Sequence, residues 1–435
     1  MEQNRNVPLI FVTGVGQTWS TLQGSEDKWN LFPQGKKALP LTNKRRLISL
    51  LFHALTDGKV SQDLLEAQFR SMFRYCRVDR QGNLPPQVQV RLYGPRSFET
   101  LSHIDFYTGE KTDDPSRSLL DRLLRDVPCR ELMEQYGADR MFCFNYSPFT
   151  DLYAQAQNLR DFIDVVRRGC PDAGRVTLVP MSMGASIVLA YMDAYAAHVC
   201  DNVGAVLSVV GAWDGSEALA DVLEGAVCDD WTDRFYHQFL PSLLHQKPLL
   251  RLLQRDTQRT DRLLRQLHLA LLDTVLLRCS AFLAMVPYHR WETLYGTLFH
   301  QQRMLRCSRL PIVQRQADRF ISAQKNLHAC MTNLTRNASV RFFFLGGYGL
   351  DFGEGSRDFD FLQLTRSAGQ GGSDGVLQIS SAVPGTVYTA DSVREDSGWF
   401  PQNSFYYLRQ AHEIGDNPEA MAQLLTLAMQ MKESV

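Results

Sequence analysis

The sequence predicts an α/β fold, a mostly parallel sheet with helices on both faces, interrupted near its middle by a helical insertion. Short β-rich runs alternate with helical periodicity through the first half of the chain; a Leu-, Arg- and Gln-rich block without β-rich runs fills 212–335; strand texture then resumes at 340–345. A parallel pair of strands needs a long crossover connection, normally a helix, so strand–helix alternation points to a parallel sheet covered on both faces. The 435 residues, 44% of them hydrophobic, suffice for a large core.

Taken in order, residues 7–13 form a β-rich run that ends in Gly14-Val15-Gly16. Residues 45–55 and 64–73 have helical spacing, 88–92 reads as a strand, 118–127 as a helix and 141–146 as a strand. An amphipathic helix at 154–168 precedes a strand at 175–179, a helix at 183–195 and an apolar strand at 203–210. Helical periodicity persists through 249–277 and 314–331. After the strand at 340–345 come turns rich in Gly and Asp, then a final helix at 418–431. The expected organisation is one α/β core in two parts, 1–211 and 336–435, with a helical cap at 212–335.

A net charge of −1 provides no field toward nucleic acid, and Lys44-Arg45-Arg46 reads as a solvated helix face. The most leucine-rich stretch, 263–277, contains Arg265 and Asp273 and abuts Arg278; a membrane span needs roughly 20 residues nearly free of charge. The polar start at 1–6 and the short apolar run at 7–12 do not resemble a secretion signal, so a cytoplasmic location is expected and the sequons at Asn333 and Asn337 carry no weight. Nine cysteines without a CxxC pair suggest reduced, mostly buried thiols, with neither a zinc knuckle nor a disulfide framework.

The strongest chemical signal is Val176-Thr177-Leu178-Val179-Pro180-Met181-Ser182-Met183-Gly184-Ala185. A β-branched strand runs into a serine and a small-residue helix starts at once, the layout of a nucleophile elbow. Pro180 replaces the first glycine of G-x-S-x-G, which an extended position tolerates. Hydrolysis through such a serine needs two backbone N–H groups aimed at one oxyanion, and Val15 and Met183 are the natural donors. A dinucleotide fingerprint starting at Gly14 fails because Trp19 stands at its third small position. The elbow points to an α/β-hydrolase fold, in which the acid and then the histidine follow the serine. Beyond His328 only His412 remains, so it is the expected base. Asp351, Asp358, Asp360, Asp374, Asp391 and Asp396 all lie in the segment for the acid. Asp374, in Gly371-Gly372-Ser373-Asp374-Gly375, is favoured because turn amides can fix its carboxylate; Asp351 is the alternative. The acidic stretch 351–360 does not have EF-hand spacing.

Together these segments resemble the lecithin:cholesterol acyltransferase family, which includes lysosomal phospholipases. Val12-Thr13-Gly14-Val15-Gly16 matches its first strand and glycine turn, and Gly211-Ala212-Trp213-Asp214-Gly215-Ser216 is similar to its Gly-Ala-Pro-Trp-Gly-Gly stretch without the proline and one glycine. Asp374-Gly375-Val376, followed by Ser380-Ser381, is similar to its acid turn, and His412 with Asn417-Pro418-Glu419 to its base segment. Phe144-Asn145-Tyr146-Ser147-Pro148 falls where the family has a Tyr-Asp-Trp-Arg-like segment and matches it poorly. The resemblance implies an acyl-enzyme mechanism on lipid acyl esters, with a helical cap shaping the acyl site; a lipid substrate leaves room for transient contact with a membrane surface.

The expected chemistry needs no metal or organic cofactor. Trp213, Tyr288 and Trp291 are candidates to line an acyl pocket, or are plain cap core. A non-lipid esterase would share every catalytic residue, and a catalytically inactive, partner-binding relative also fits the altered motif positions.

Overall fold

The computed structural model describes residues 7–18, 20–22, 66–67, 70, 73–90, 94–127, 129–234, 257–294, 311–354, 361–389, 392–395 and 403–433. The helix expected at 45–55, the basic cluster at 44–46, Trp19, and Asp358, Asp360, Asp391 and Asp396 lie outside these residues.

The described strands are β1 (Leu9–Val12), β2 (Ser20–Leu22), β3 (Val88–Val90), β4 (Met141–Phe144), β5 (Val176–Pro180), β6 (Val203–Val209), β7 (Arg341–Tyr348), β8 (Thr386–Thr389), β9 (Ser392–Glu395) and β10 (Ser404–Leu408). Six of them form one sheet in the order β10-β7-β6-β5-β1-β4, parallel throughout. β2 pairs with β3, and β8 with β9, as separate antiparallel ribbons. β1, β4 and β5 are buried at every position, which is why they read as unbroken apolar runs. Alternate residues nevertheless divide between two cores: Ile10, Val12, Phe142, Phe144 and Leu178 face one layer, Leu9, Phe11, Met141, Cys143 and Val179 the other.

Helices α1 (Phe98–Ser102), α2 (Leu119–Asp126) and α3 (Arg130–Tyr136) belong to the second layer. Helices α4 (Leu152–Gly169), α5 (Gly184–Ala194) and α6 (Ala196–Asn202) belong to the first. In the inserted block, α7 (Glu217–Glu224) and α8 (Thr257–Thr274) share a separate apolar cluster that includes Leu223, Leu272, Leu283 and Val286. An ion cluster ties α7 to the helical segment 288–294: Arg290 bonds Asp221 at 2.9 Å and Glu224 at 3.0 Å, and also pairs with Glu217. Helix α9 (Pro311–Lys325) packs against Ser280–Ala284 and adds Val313 and Ala317 to the same apolar cluster, and α9 and α10 (Leu327–Ala338) also pack on α4, α5, α6 and β7, as sheet-covering helices do. The periodic stretch 314–331 is thus two helices, broken at Asn326, whose φ of −96° and ψ of 4° leave the helical well. The last helix, α11 (Pro418–Glu433), returns to the second layer against α3 and β6. It opens with Asn417, whose Oδ1 accepts the Ala420 amide at 3.1 Å, and with proline at its first position, both strong helix-start devices. Among the described residues no helix is long and apolar enough to cross a membrane.

β10 was not anticipated. It is a five-residue edge strand, Ser404-Phe405-Tyr406-Tyr407-Leu408, in which only Tyr407 is buried and Leu408 is 65% exposed, so its burial does not alternate. The aromatic triplet ahead of His412 was the available signal.

Candidate active site

β5 passes into α5 through Met181, Ser182 and Met183, and Ser182 sits in the left-handed region at φ 49°. That conformation costs a non-glycine residue of order 1–3 kcal/mol and persists only where surroundings impose it. Here the loop after β6 clasps it: the Ser182 amide donates to Val209 O (3.2 Å), and Ser182 O accepts from the Ala212 amide (2.8 Å). Ser186 Oγ, one turn into α5, donates to Ala212 O at 2.6 Å and fixes the clasp from the helix side. Two glycines admit the turn. A Cβ on Gly184 would lie 2.1 Å from Val12 O, and one on Gly14 would lie 2.9 Å from Ser182 Cβ. Both sites therefore exclude any side chain.

Pro180 ends β5 opposite Val12. Thr177 and Met181 donate their amides toward the β1 side, to Pro8 O and Val12 O. By alternation the nitrogen of Pro180 faces β6, where it has no hydrogen to give. Regular β5–β6 pairing accordingly stops at Leu178–Val206 and returns only as an isolated bridge, Met181–Val209. Proline is accommodated at the cost of one ladder bond.

His412 follows β10, and the serine, histidine and aspartate meet at the ends of β5, β10 and β7. Ser182 Oγ is 2.9 Å from His412 Nε2, and His412 Nδ1 is 2.8 Å from Asp374 Oδ2. With a carboxylate as its partner, Nδ1 carries the proton and Nε2 is left to accept from the serine hydroxyl. Asp374 is 1% exposed, and its other oxygen accepts the amides of Val376 (3.0 Å) and Leu377 (2.8 Å). The following Gly375 has φ 92°, and a Cβ there would meet Glu354 O at 2.5 Å. At Gly347 in β7 a Cβ would press on Gln410 O (2.6 Å) and Asp374 Cβ (3.1 Å), so this glycine lets the acid turn and the histidine loop close on one another. Asn417 Nδ2 donates to Gln410 Oε1 at 2.7 Å, bracing the same loop. Burial pushes the His412 pKa down, but the Asp374 charge and hydrogen bond, with Glu413 behind them, outweigh it and raise the value above that of an ordinary imidazole.

Val15 opens a single 3-10 turn, Val15–Gln17, directly after Gly14, and Met183 stands at the N-terminus of α5. No described residue accepts a hydrogen bond from either amide. A hydroxyl bonded to an imidazole, an anchored carboxylate and two unspent N–H groups beside them can carry out nucleophilic acyl transfer.

The remaining candidates lie elsewhere. Asp351 has its carboxylate 3.9 Å from Arg234, and its amide donates to the Glu354 side chain. Trp213 does not line a pocket: it is wholly inaccessible, its ring N–H donates to Ser208 Oγ at 2.9 Å, and it packs edge-on against Phe344. A side chain without solvent-accessible surface cannot meet an incoming acyl chain, so Trp213 is core beneath the elbow. Tyr288 is 42% exposed beside His289, and Trp291 is half-buried with its indole N–H toward Asp318 Oδ1 at 3.2 Å. Sequence reading missed the clasp from Val209 and Ala212, for which Gly211-Ala212 after an apolar strand was the only trace.

A sheet with this strand order, carrying the serine after β5, the aspartate after β7 and the histidine after β10, has the architecture of an α/β-hydrolase. No model of a known protein family matches the chain, and no curated protein does. Among solved structures it is similar to the crystal structure of the Tle4-Tli4 complex, with a TM-score of 0.42 and 11% identity over 99% of this chain and 99% of that one.

Proposed function

We propose that the protein is a serine hydrolase that works through an acyl-enzyme on Ser182. The observation that carries this is the continuous hydrogen-bonded chain Ser182 Oγ–His412 Nε2, His412 Nδ1–Asp374 Oδ2, drawn from three distant parts of the sequence. His412 takes the hydroxyl proton as Ser182 attacks an ester carbonyl, and Asp374 holds the tautomer and stabilises the imidazolium. The Val15 and Met183 amides receive the developing oxyanion. His412 then protonates the leaving alcohol, and water or another alcohol, activated by the same imidazole, releases the acyl group.

The sign of the His412 shift makes a pH prediction. Only the neutral imidazole accepts the serine proton, so kcat/KM should fall as pH drops through a value above the ordinary imidazole range. In Asp374→Asn the raising charge is gone while burial stays, so the acid limb should move to lower pH on a much reduced plateau. A rate profile from pH 5 to 9 on both proteins checks this; an unmoved limb means that Asp374 does not face the titrating base.

The substrate we propose is a lipid acyl ester, on the strength of the family resemblance and the apolar helical block between β6 and β7. Part of that resemblance has a structural cause, since Trp213 is core and Asn417 is a helix cap. The chain-length profile is therefore the discriminating experiment. Each methylene leaving water contributes about 0.8 kcal/mol, so an acyl groove should raise kcat/KM several-fold per pair of methylenes until it is filled. A series of p-nitrophenyl esters below their aggregation limits should rise and then level off. A maximum at acetate or butyrate would remove the lipid and leave a small-ester hydrolase.

A further inference from the structure

A glycine-flanked loop gives a poor oxyanion donor unless something holds it, because a shift of a few tenths of an ångström misaims the N–H. The segment Thr13-Gly14-Val15 is held by three side chains outside the triad, those of Tyr146, Gln17 and Thr18. Thr13 O accepts the Tyr146 hydroxyl at 2.7 Å. Gly14 is engaged from both sides by Gln17: its amide donates to Gln17 Oε1 at 2.8 Å, and its carbonyl accepts the Gln17 amide at 3.1 Å. Val15 O accepts from Thr18, through Oγ1 at 2.8 Å and N at 3.3 Å. From Thr13 O to Val15 O, only the Val15 amide lacks a partner among the described residues. The loop also runs hard against the nucleophile, where a Cβ on Gly14 would lie 2.9 Å from Ser182 Cβ. Tyr146 is itself rigid, 1% exposed and stacked at 6.2 Å on Phe144, and burial raises its hydroxyl pKa, which keeps it a donor.

We infer that Tyr146 and Gln17 are positioning residues that clamp the Thr13–Val15 loop so that the Val15 amide is aimed at the oxyanion; this rests on the acyl-transfer reading above. The clamp touches no substrate, and its effect is confined to the step in which charge develops on oxygen. The test compares Tyr146→Phe and Gln17→Met with wild type on a p-nitrophenyl ester and its thionoester. Sulfur is larger and a weaker acceptor, so a pair of amides set for oxygen favours the oxygen ester in wild type. Loss of one oxyanion donor costs about 10²–10³-fold in rate, and a misaimed donor should cost about 10–100-fold in kcat on the oxygen ester, with KM little changed. The thionoester should lose much less, so the oxygen-to-sulfur rate ratio should contract in both variants. An equal fall on both esters, or no fall, would overturn the clamp. Melting temperature and phosphonate labelling identify a variant that fails to fold, and half-buried Gln17 provides a second variant should Tyr146→Phe do so. Ser182→Ala run alongside keeps the two ideas apart: undiminished turnover there sinks the acyl-transfer reading itself, whereas an inactive Ser182→Ala with an unchanged ratio sinks only the clamp.

Discussion

Ser182→Ala should lower turnover about 10⁶-fold, the order seen when the nucleophile of a serine triad is removed. The substitution deletes one oxygen, whose partner is His412 Nε2 at 2.9 Å. The backbone demands at 182 are the same for alanine as for serine, because the positive φ is imposed by the bonds to Val209 and Ala212 and by the absence of side chains at Gly14 and Gly184. The melting temperature should therefore stay close to wild type while activity vanishes. A variant that kept a substantial fraction of its turnover would move the nucleophile elsewhere. One that lost activity only by unfolding would show a collapsed melting transition instead. Removal of the base in His412→Ala should cost nearly as much, since an unassisted serine hydroxyl is a weak nucleophile.

Asp374→Asn should lower turnover about 10⁴-fold, and Asp351→Asn should be nearly silent. The magnitude follows from which atoms can rotate. In the wild type Oδ1 is committed to the amides of Val376 and Leu377, and Oδ2 accepts from His412 Nδ1. An asparagine can satisfy the two amides only by keeping its oxygen at the Oδ1 position. Its NH₂ group then faces the imidazole as a donor and favours the tautomer with the proton on Nε2, which cannot accept from Ser182. Asp351 has no such part, since its carboxylate lies near Arg234. Kinetics of the two variants side by side check the assignment; a crippled Asp351→Asn with an active Asp374→Asn would reverse it.

The order of the three residues that meet at the candidate site was legible because it rests on steric and topological facts that a sequence displays. The strand-to-helix turn at Ser182 needs small residues where the helix crosses β1, and Gly184 and Ala185 are there. His412 could be found because it is the last histidine, and Asp374 because an Asp-Gly turn can bind a carboxylate with its own amides. The strand that delivers His412 was not legible, since a short edge strand has one well-covered residue and no alternating burial. Trp213 stayed open between pocket lining and core because a tryptophan beside an apolar helical block looks alike whether it lines a groove or fills the space under the elbow; its bond to Ser208 and its lack of exposure decide for core. The helix pair α9 and α10 read as one because its break at Asn326 needs no glycine or proline. Gln17 and Tyr146 carried no signal, as the Tyr146–Thr13 bond joins residues 133 apart and follows only from the parallel pairing of β1 with β4.

The most direct measurement for the central claim is the site of covalent attack. A fluorophosphonate mimics the tetrahedral intermediate and is captured only by a serine that a base has activated and an oxyanion site can hold. Intact mass after labelling should show a single adduct per chain, and peptide mapping should put it on Ser182. Ser182→Ala should remain unlabelled, and His412→Ala should label far more slowly than wild type. An adduct on another residue, or equal labelling of wild type and Ser182→Ala, would contradict the account.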